Sequence, residues 1–282
     1  MARQPIRKQM KRVSQRMLMR LAPAQAARQA QIRFVTPDRY PRPQREKAWL
    51  ERGTPVSLLQ GTISATSWGD GPIVLLVHGW SGRGTQMGAF IDPLVASGRR
   101  VIAVDGPAHG DSQGEQTNPL HFGQNLYKIG QELGPIDAII AHSFGGAATA
   151  LALDMGLVAR CVVLLASPSS LEGVLDRYAS YAELPAPVTR RFKALMYQET
   201  GEHADAFDVA HIGARLTTPL LVMHDPEDQE VPYSEAEAIV RIWSQSLLYT
   251  IHNRGHRRML FAKEVVEAAV HFVVVGSVAT EM

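Results

Sequence analysis

The 282-residue sequence predicts an α/β fold: a mostly parallel central sheet with helices on both faces and a small helical cap. Three observations carry this expectation. Short apolar runs recur from residue 73 onward, they are rich in Val, Ile and Leu without polar alternation, and helix-patterned segments separate them. A strand covered on both faces reads as a continuous apolar run, because both rows of its side chains are buried. Strands alternating with helices build parallel sheets, since each crossover has room for a helix.

The chain opens differently. Residues 1–47 hold 13 Lys and Arg against Asp38 and Glu46, a local charge of +11, while the remainder carries −9. Met10, Val13, Met17 and Leu21 fall at helical spacing with Lys8, Lys11, Arg12, Gln15 and Arg16 between them, which predicts a basic amphipathic helix. Pro37, Pro41 and Pro43 then predict a stiff, extended connector. Residues 1–53 are thus read as an arm and connector ahead of a domain over 54–282. Such an arm suits an anionic surface, either the acidic body of the same chain or a peripheral contact with a membrane. No nucleic acid is expected. Lying ahead of the first sheet strand, the arm is expected to contribute little to chemistry.

The apolar runs are IVLLVH (73–78), VIAVD (101–105), DAIIAH (137–142), CVVLLA (161–166), LLVMH (220–224) and LLYTIH (247–252). Helical patterns over Leu120–Leu133, Phe144–Met155 and Ser234–Ser244 lie between them. Right-handed crossovers place the C-terminal ends of parallel strands on one edge, where open α/β sheets hold their chemistry. From about 167 to 217 the rhythm breaks into helical stretches carrying Tyr178, Tyr181, Leu184, Phe192, Met196 and Tyr197. This interval is read as a cap over that edge.

Composition narrows the function. One cysteine, Cys161, excludes an intramolecular disulfide, and its apolar run makes it a packed side chain and not a nucleophile. No apolar run reaches the roughly 18 residues of a membrane span, and Arg16 and Arg20 interrupt any signal-like core, so a cytoplasmic location is expected. Zinc-spaced Cys/His clusters are absent, and GWSGRG lacks the setting of a dinucleotide loop, so neither metal nor cofactor is expected.

The strongest local signal is DAIIAHSFGGAAT, a buried strand running into Ala141-His142-Ser143-Phe144-Gly145-Gly146 and then a helix. A serine on a sharp strand-to-helix turn has its hydroxyl lifted above the sheet, and small neighbours let the backbone double back. Ala141 stands where this motif has glycine. With VHGW, AVDGPAHGDS, HDPEDQEVP and GHRRML in the same order, residues 55–275 resemble the α/β-hydrolase superfamily.

That resemblance implies a Ser…Asp…His triad led by Ser143. It points to Asp228, ahead of Val231-Pro232, as the acid; Asp225 (read as a turn-former before Pro226), Glu227 and Glu230 are the alternatives. His256, after Gly255 and ahead of a helical run, is the expected base, with His252 assigned to the strand end. His121, His203, His211 and His271 are read as surface or packed side chains. The backbone N–H groups of Trp80 and Phe144 would form the oxyanion hole. His78 and His109 are expected to brace loops, and His142, Tyr178, Tyr181, Phe192 and Met196 to line the pocket. The expected function is hydrolysis of carboxylic esters with small to medium apolar acyl groups. Lactone, thioester or peptide hydrolysis, carbon–carbon cleavage and perhydrolysis use the same triad, and a non-catalytic binding module on this scaffold is the alternative of another class.

Overall fold

A computed structural model describes residues 17, 19–200 and 208–276; Met10, Val13 and His203 lie outside the described residues. Eight strands form one sheet: β1 (Thr54–Leu58), β2 (Ile63–Trp68), β3 (Ile73–Val77), β4 (Arg100–Val104), β5 (Ile136–His142), β6 (Ala159–Leu165), β7 (Leu220–His224) and β8 (Ser246–Thr250). Their order is β1-β2-β4-β3-β5-β6-β7-β8. Strands β3 to β8 are mutually parallel, and β2 joins β4 antiparallel with β1 beyond it at the edge.

All six apolar runs are strands. Side chains alternate between two apolar layers: Leu75, Ile139, Leu164 and Val222 enter one, and Leu76, Ile140, Val163 and Met223 the other. That is why polar alternation is missing from their sequences. The first layer packs under α4 (Pro119–Leu133), α5 (Phe144–Asp154) and α9 (Tyr233–Ile242). The second packs under α3 (Ile91–Ala96) and α11 (Lys263–Val275).

The arm is part of this body. Helix α1 (Pro23–Val35) begins with proline at its first position, where the missing N–H costs nothing. Its buried Ala26, Ala27 and Ala30 let it lie close against α7 (Ala186–Thr200). Gln31 donates to Glu199 at 2.8 Å across this contact, and the Tyr178 hydroxyl donates to Ala30 O at 3.2 Å.

The connector is extended but not free. Arg39 donates to the carbonyls of Ala108, Ser112 and Gly114, Arg42 pairs with Asp105 and Asp111, and Asp38 N–H donates to Ser81 Oγ. It leads into α2 (Gln44–Arg52), whose buried Glu46 holds Arg83 through two bonds of 2.5 and 2.8 Å. The interval after β6 contains α6 (Leu171–Tyr181), α7 and α8 (Val209–Gly213) among the described residues.

Among the described residues, five of the eight non-glycine residues with positive φ, namely Ser81, Ala108, Ser143, Ala166 and Asn253, lie just past the C-terminal ends of parallel strands. Backbone strain of this kind, about 1–3 kcal/mol per residue, persists where the surroundings over-determine the chain. It therefore marks the edge at which the site is sought.

Candidate active site

Ser143 sits between β5 and α5 with φ 51° and ψ −124°. Its N–H donates to Leu165 O on β6, and its carbonyl accepts from Gly146 N–H, both at 2.8 Å. These bonds hold the turn. A Cβ on Gly145 would run into the His78 carbonyl and lie 2.9 Å from Val77 O, and one on Gly146 would meet Ser167. Those glycines let α5 start directly behind the strands. Ala141 is fully buried in the sheet, where its methyl group is accommodated.

His256 reaches this turn from the loop after β8, at the start of the short helix α10 (Gly255–Arg258). Its Nε2 lies 2.9 Å from Ser143 Oγ and its Nδ1 2.7 Å from Asp228 Oδ2. With Nδ1–H donating to the carboxylate, the Nε2 lone pair faces the serine hydroxyl. Asp228 Oδ1 accepts from Glu230 N–H at 2.7 Å and Val231 N–H at 3.0 Å. Burial alone would raise the Asp228 pKa, but bonds from His224 and His256 and the Val231 N–H outweigh it and hold the carboxyl well below its usual range. The group is therefore anionic and bonded on both oxygens. A serine, imidazole and carboxylate so joined can pass a proton from Oγ to Nε2 as the oxygen attacks a carbonyl.

Asp225, the turn-former of the sequence reading, does more than form a turn. Its Oδ1 accepts from Glu227 N–H at 2.8 Å, while Oδ2 accepts from Arg254 N–H at 2.5 Å and Gly255 N–H at 2.6 Å. It thereby ties the loop that carries Asp228 to the two residues before His256. Burial pushes its pKa up, yet the three N–H donors prevail and lower it.

The neighbouring histidines divide by their bonds. Gly106 N–H donates to His78 Nε2 at 2.9 Å, so Nδ1 carries the proton and donates to Gly79 O at 2.7 Å. Ser81 N–H donates to His109 Nε2 at 3.0 Å, and His109 Nδ1–H to Pro107 O at 2.9 Å. Burial lowers their pKa values to about 4 and about 3, so both are neutral braces between the loops after β3 and β4. His142 donates from Nε2 to the His256 carbonyl at 2.9 Å, and burial lowers its pKa to about 3. It borders the cavity and supports the His256 loop, a second role that its sequence position did not reveal.

Phe144 is the first residue of α5, so its N–H has no partner within the helix and faces the serine side. The loop Gly79-Trp80-Ser81 abuts the turn: a Cβ on Gly79 would fall 3.0 Å from Ser143 Cβ. The two expected oxyanion donors thus come from loops that flank Ser143.

Above Ser143 opens a cavity of about 1080 Å³ that also borders Trp80, His142, Phe144 and His256. Of the predicted lining, Tyr178 and Tyr181 border it, but Phe192 and Met196 do not. Both are fully buried, and Phe192 backs the wall from behind, with its ring 5.6 Å from Phe34 and 5.3 Å from Tyr178. The missed contribution is the arm. Met19, Ala26, Ala30, Arg33 and Phe34 border the cavity, with the Phe34 ring stacked 6.1 Å from Trp80 and edge-to-face with Tyr178 at 5.0 Å. The arm, expected to contribute little to chemistry, nevertheless forms part of the cavity wall: small alanines dock it against the cap, and Phe34 borders the same cavity as Ser143. Among the described residues no group of His, Cys, Asp and Glu could hold a metal ion. Burial raises the Cys161 thiol to about 11, which leaves it protonated.

A strand–serine–helix turn with histidine and aspartate delivered from the loops after β8 and β7 defines the class, an α/β hydrolase. Residues 74–268 match the alpha/beta hydrolase family, and the chain belongs to it. Part of the chain is 34% identical over 170 residues to the Magnesium-chelatase 30 kDa subunit of Rhodobacter capsulatus. That match covers 53% of this chain and only 58% of the relative. The fold is similar to an esterase from Pyrococcus furiosus (TM-score 0.63, 20% identity, 85% of this chain and 96% of that one). It is also similar to an esterase from Exiguobacterium antarcticum (TM-score 0.59, 19% identity, 78% and 99%).

Proposed function

We propose that the protein is a serine hydrolase that cleaves carboxylic esters with small to medium apolar acyl groups through an acyl-enzyme on Ser143. The observation that carries this reading is the chain of two bonds, Ser143 Oγ to His256 Nε2 at 2.9 Å and His256 Nδ1 to Asp228 Oδ2 at 2.7 Å. Ser143 Oγ attacks the ester carbonyl as its proton passes to His256 Nε2. The carbonyl oxygen becomes an oxyanion facing the N–H groups of Trp80 and Phe144, each worth roughly 3–4 kcal/mol in such a role. Collapse breaks the ester C–O bond, and the alcohol leaves with the proton from His256. Water then attacks the acyl-enzyme, giving a proton to His256 that returns to Ser143 Oγ as the acid departs. Asp228 holds the imidazole tautomer throughout and stabilises the imidazolium.

The aromatic wall of Phe34, Trp80, Phe144 and Tyr178 supports an apolar acyl group. A fluorophosphonate probe should label the natural protein with one equivalent and Ser143→Ala not at all. Initial rates on aryl esters of graded acyl length then rank substrates, with Ser143→Ala as the blank. The relative named as a chelatase subunit favours a second reading, a hydrolase scaffold that serves as a binding subunit. A natural chain that neither labels nor turns over any ester would support that reading instead.

A further inference from the structure

The arm has two faces, and only one is used by the fold. Toward the cavity it presents Met19, Ala26, Ala30, Arg33 and Phe34. Away from it stand Met17, Leu21 and Ile32, which are 60%, 74% and 54% exposed. Interspersed with these apolar residues are Arg20 and Arg28, both exposed and without an ion-pair partner among the described residues. The imbalance extends along the chain, since residues 1–47 carry a charge of +11.

Met17 and Leu21, four residues apart in the turn before α1, and Ile32 on α1 are exposed aliphatic side chains among arginines, the make-up of a segment that lies in a membrane interface. Water is a poor environment for such a face, and the packing of α1 on α7 does not cover it. A nucleic-acid surface would account for the arginines but not for the exposed aliphatic side chains. An anionic bilayer accounts for both. The cavity reaches this segment: Met19, between Met17 and Leu21, borders it, as does Tyr181, which is 88% exposed.

We infer that the N-terminal arm docks the protein on an anionic membrane surface through Met17, Leu21 and Ile32, with Arg20 and Arg28 facing the lipid headgroups. In that pose the arm, α1 (Pro23–Val35) and the turn that precedes it, is both the wall of the cavity and the contact with the bilayer. An apolar substrate dissolved in the membrane would then reach the mouth without crossing bulk water. None of the three aliphatic residues borders the cavity, so docking can be separated from chemistry.

The test is co-sedimentation of the full chain with vesicles of phosphatidylcholine, with and without phosphatidylglycerol. The expected result is binding to the mixed vesicles only, weakened strongly in about 1 M salt, where the Debye length falls to about 3 Å. A combined Met17→Ser/Leu21→Ser/Ile32→Ser variant should bind at least about tenfold more weakly, and Arg20→Gln/Arg28→Gln should lose much of the phosphatidylglycerol dependence. Both should keep the natural thermal midpoint and the natural rate on a soluble short ester. A natural chain that stays in the supernatant with mixed vesicles, or a serine variant that pellets as well as the natural chain, would overturn the inference. So would retention of nucleic acid in place of vesicles.

Discussion

Asp225 and Asp228 lie three residues apart, both have buried side chains, and both accept backbone N–H bonds; what separates them is the imidazole that only Asp228 touches. Asn at 228 must either aim its amide N–H₂ at His256 Nδ1–H or turn it against the Glu230 and Val231 donors, so the imidazole loses its orientation. We predict that Asp228→Asn lowers kcat on an aryl ester by about 10³–10⁴. At 225 the same change leaves a donor facing donors, either at Glu227 or at Arg254 and Gly255. The expected cost is stability, about 1–3 kcal/mol by urea unfolding, with a smaller loss of kcat. If Asp225→Asn were the more damaging to kcat, the acid would be misassigned. Ser143 and His256 were legible because each belongs to a short motif with a strand ahead of it. The Asp225 link to Gly255 was not, since it joins residues 30 apart through backbone N–H groups that carry no side-chain signature.

At the scale of elements, legibility followed burial. Strands β3 to β7, sandwiched between two apolar layers, announced themselves, and β8, an exposed edge strand, did so only through its apolar letters. By contrast, β1 (TPVSL) and β2 (ISATSW) are polar-interrupted, and β1 is largely exposed at the other edge. Helix α2 was hidden too, because its nine residues bury only Glu46. The basic helix read over residues 10–21 falls mostly outside the described residues, and α1, just after it, was not read at all, because its docking rests on alanines whose small size matters only once α7 is beside them. The consequence for function is concentrated in Phe34, half-buried between Trp80, Tyr178 and Phe192. Phe34→Ala should lower stability by about 1–3 kcal/mol, less than a fully buried phenylalanine would. It should also enlarge the cavity, shifting kcat/KM toward longer acyl groups while the rate of fluorophosphonate labelling stays within a few-fold. Unchanged chain-length preference would remove Phe34 from the wall. Deletion of residues 1–35 should be harsher, lowering the thermal midpoint and raising KM for every ester, because it strips both the wall and the cover of α7.

The molecule as a whole is built to keep its chemistry at one edge, and histidine burial there gives stability a direction in pH. The edge was foreseeable, because parallel strands joined by right-handed crossovers bring all their C-terminal ends together. Bracing by His78 and His109 was foreseeable too, but not that burial keeps these rings neutral, because that depends on what surrounds each one. Burial lowers His78 to about 4 and His109 and His142 to about 3 in the folded state. An unfolded histidine titrates near 6.5, so below that pH the unfolded chain binds more protons than the folded one. These three side chains therefore add their full stabilisation above about pH 6.5, and it is lost as pH falls toward 4, by about 1.4 kcal/mol per pH unit for each. The depressed carboxyls of Asp225 and Asp228 act lower, holding stability above about pH 4 and releasing it beneath. Urea unfolding should accordingly show the protein less stable at about pH 5 than at about pH 7.5, the buried Asp105, whose pKa burial raises, offsetting part of the loss. Because His78 and His109 join the loops after β3 and β4, acid should first loosen the Trp80 loop, and activity should fall before the far-UV signal does. Equal stability at the two pH values would mean that the rings take up protons in the folded state, and with that the bracing of the Trp80 loop by neutral imidazoles would fail.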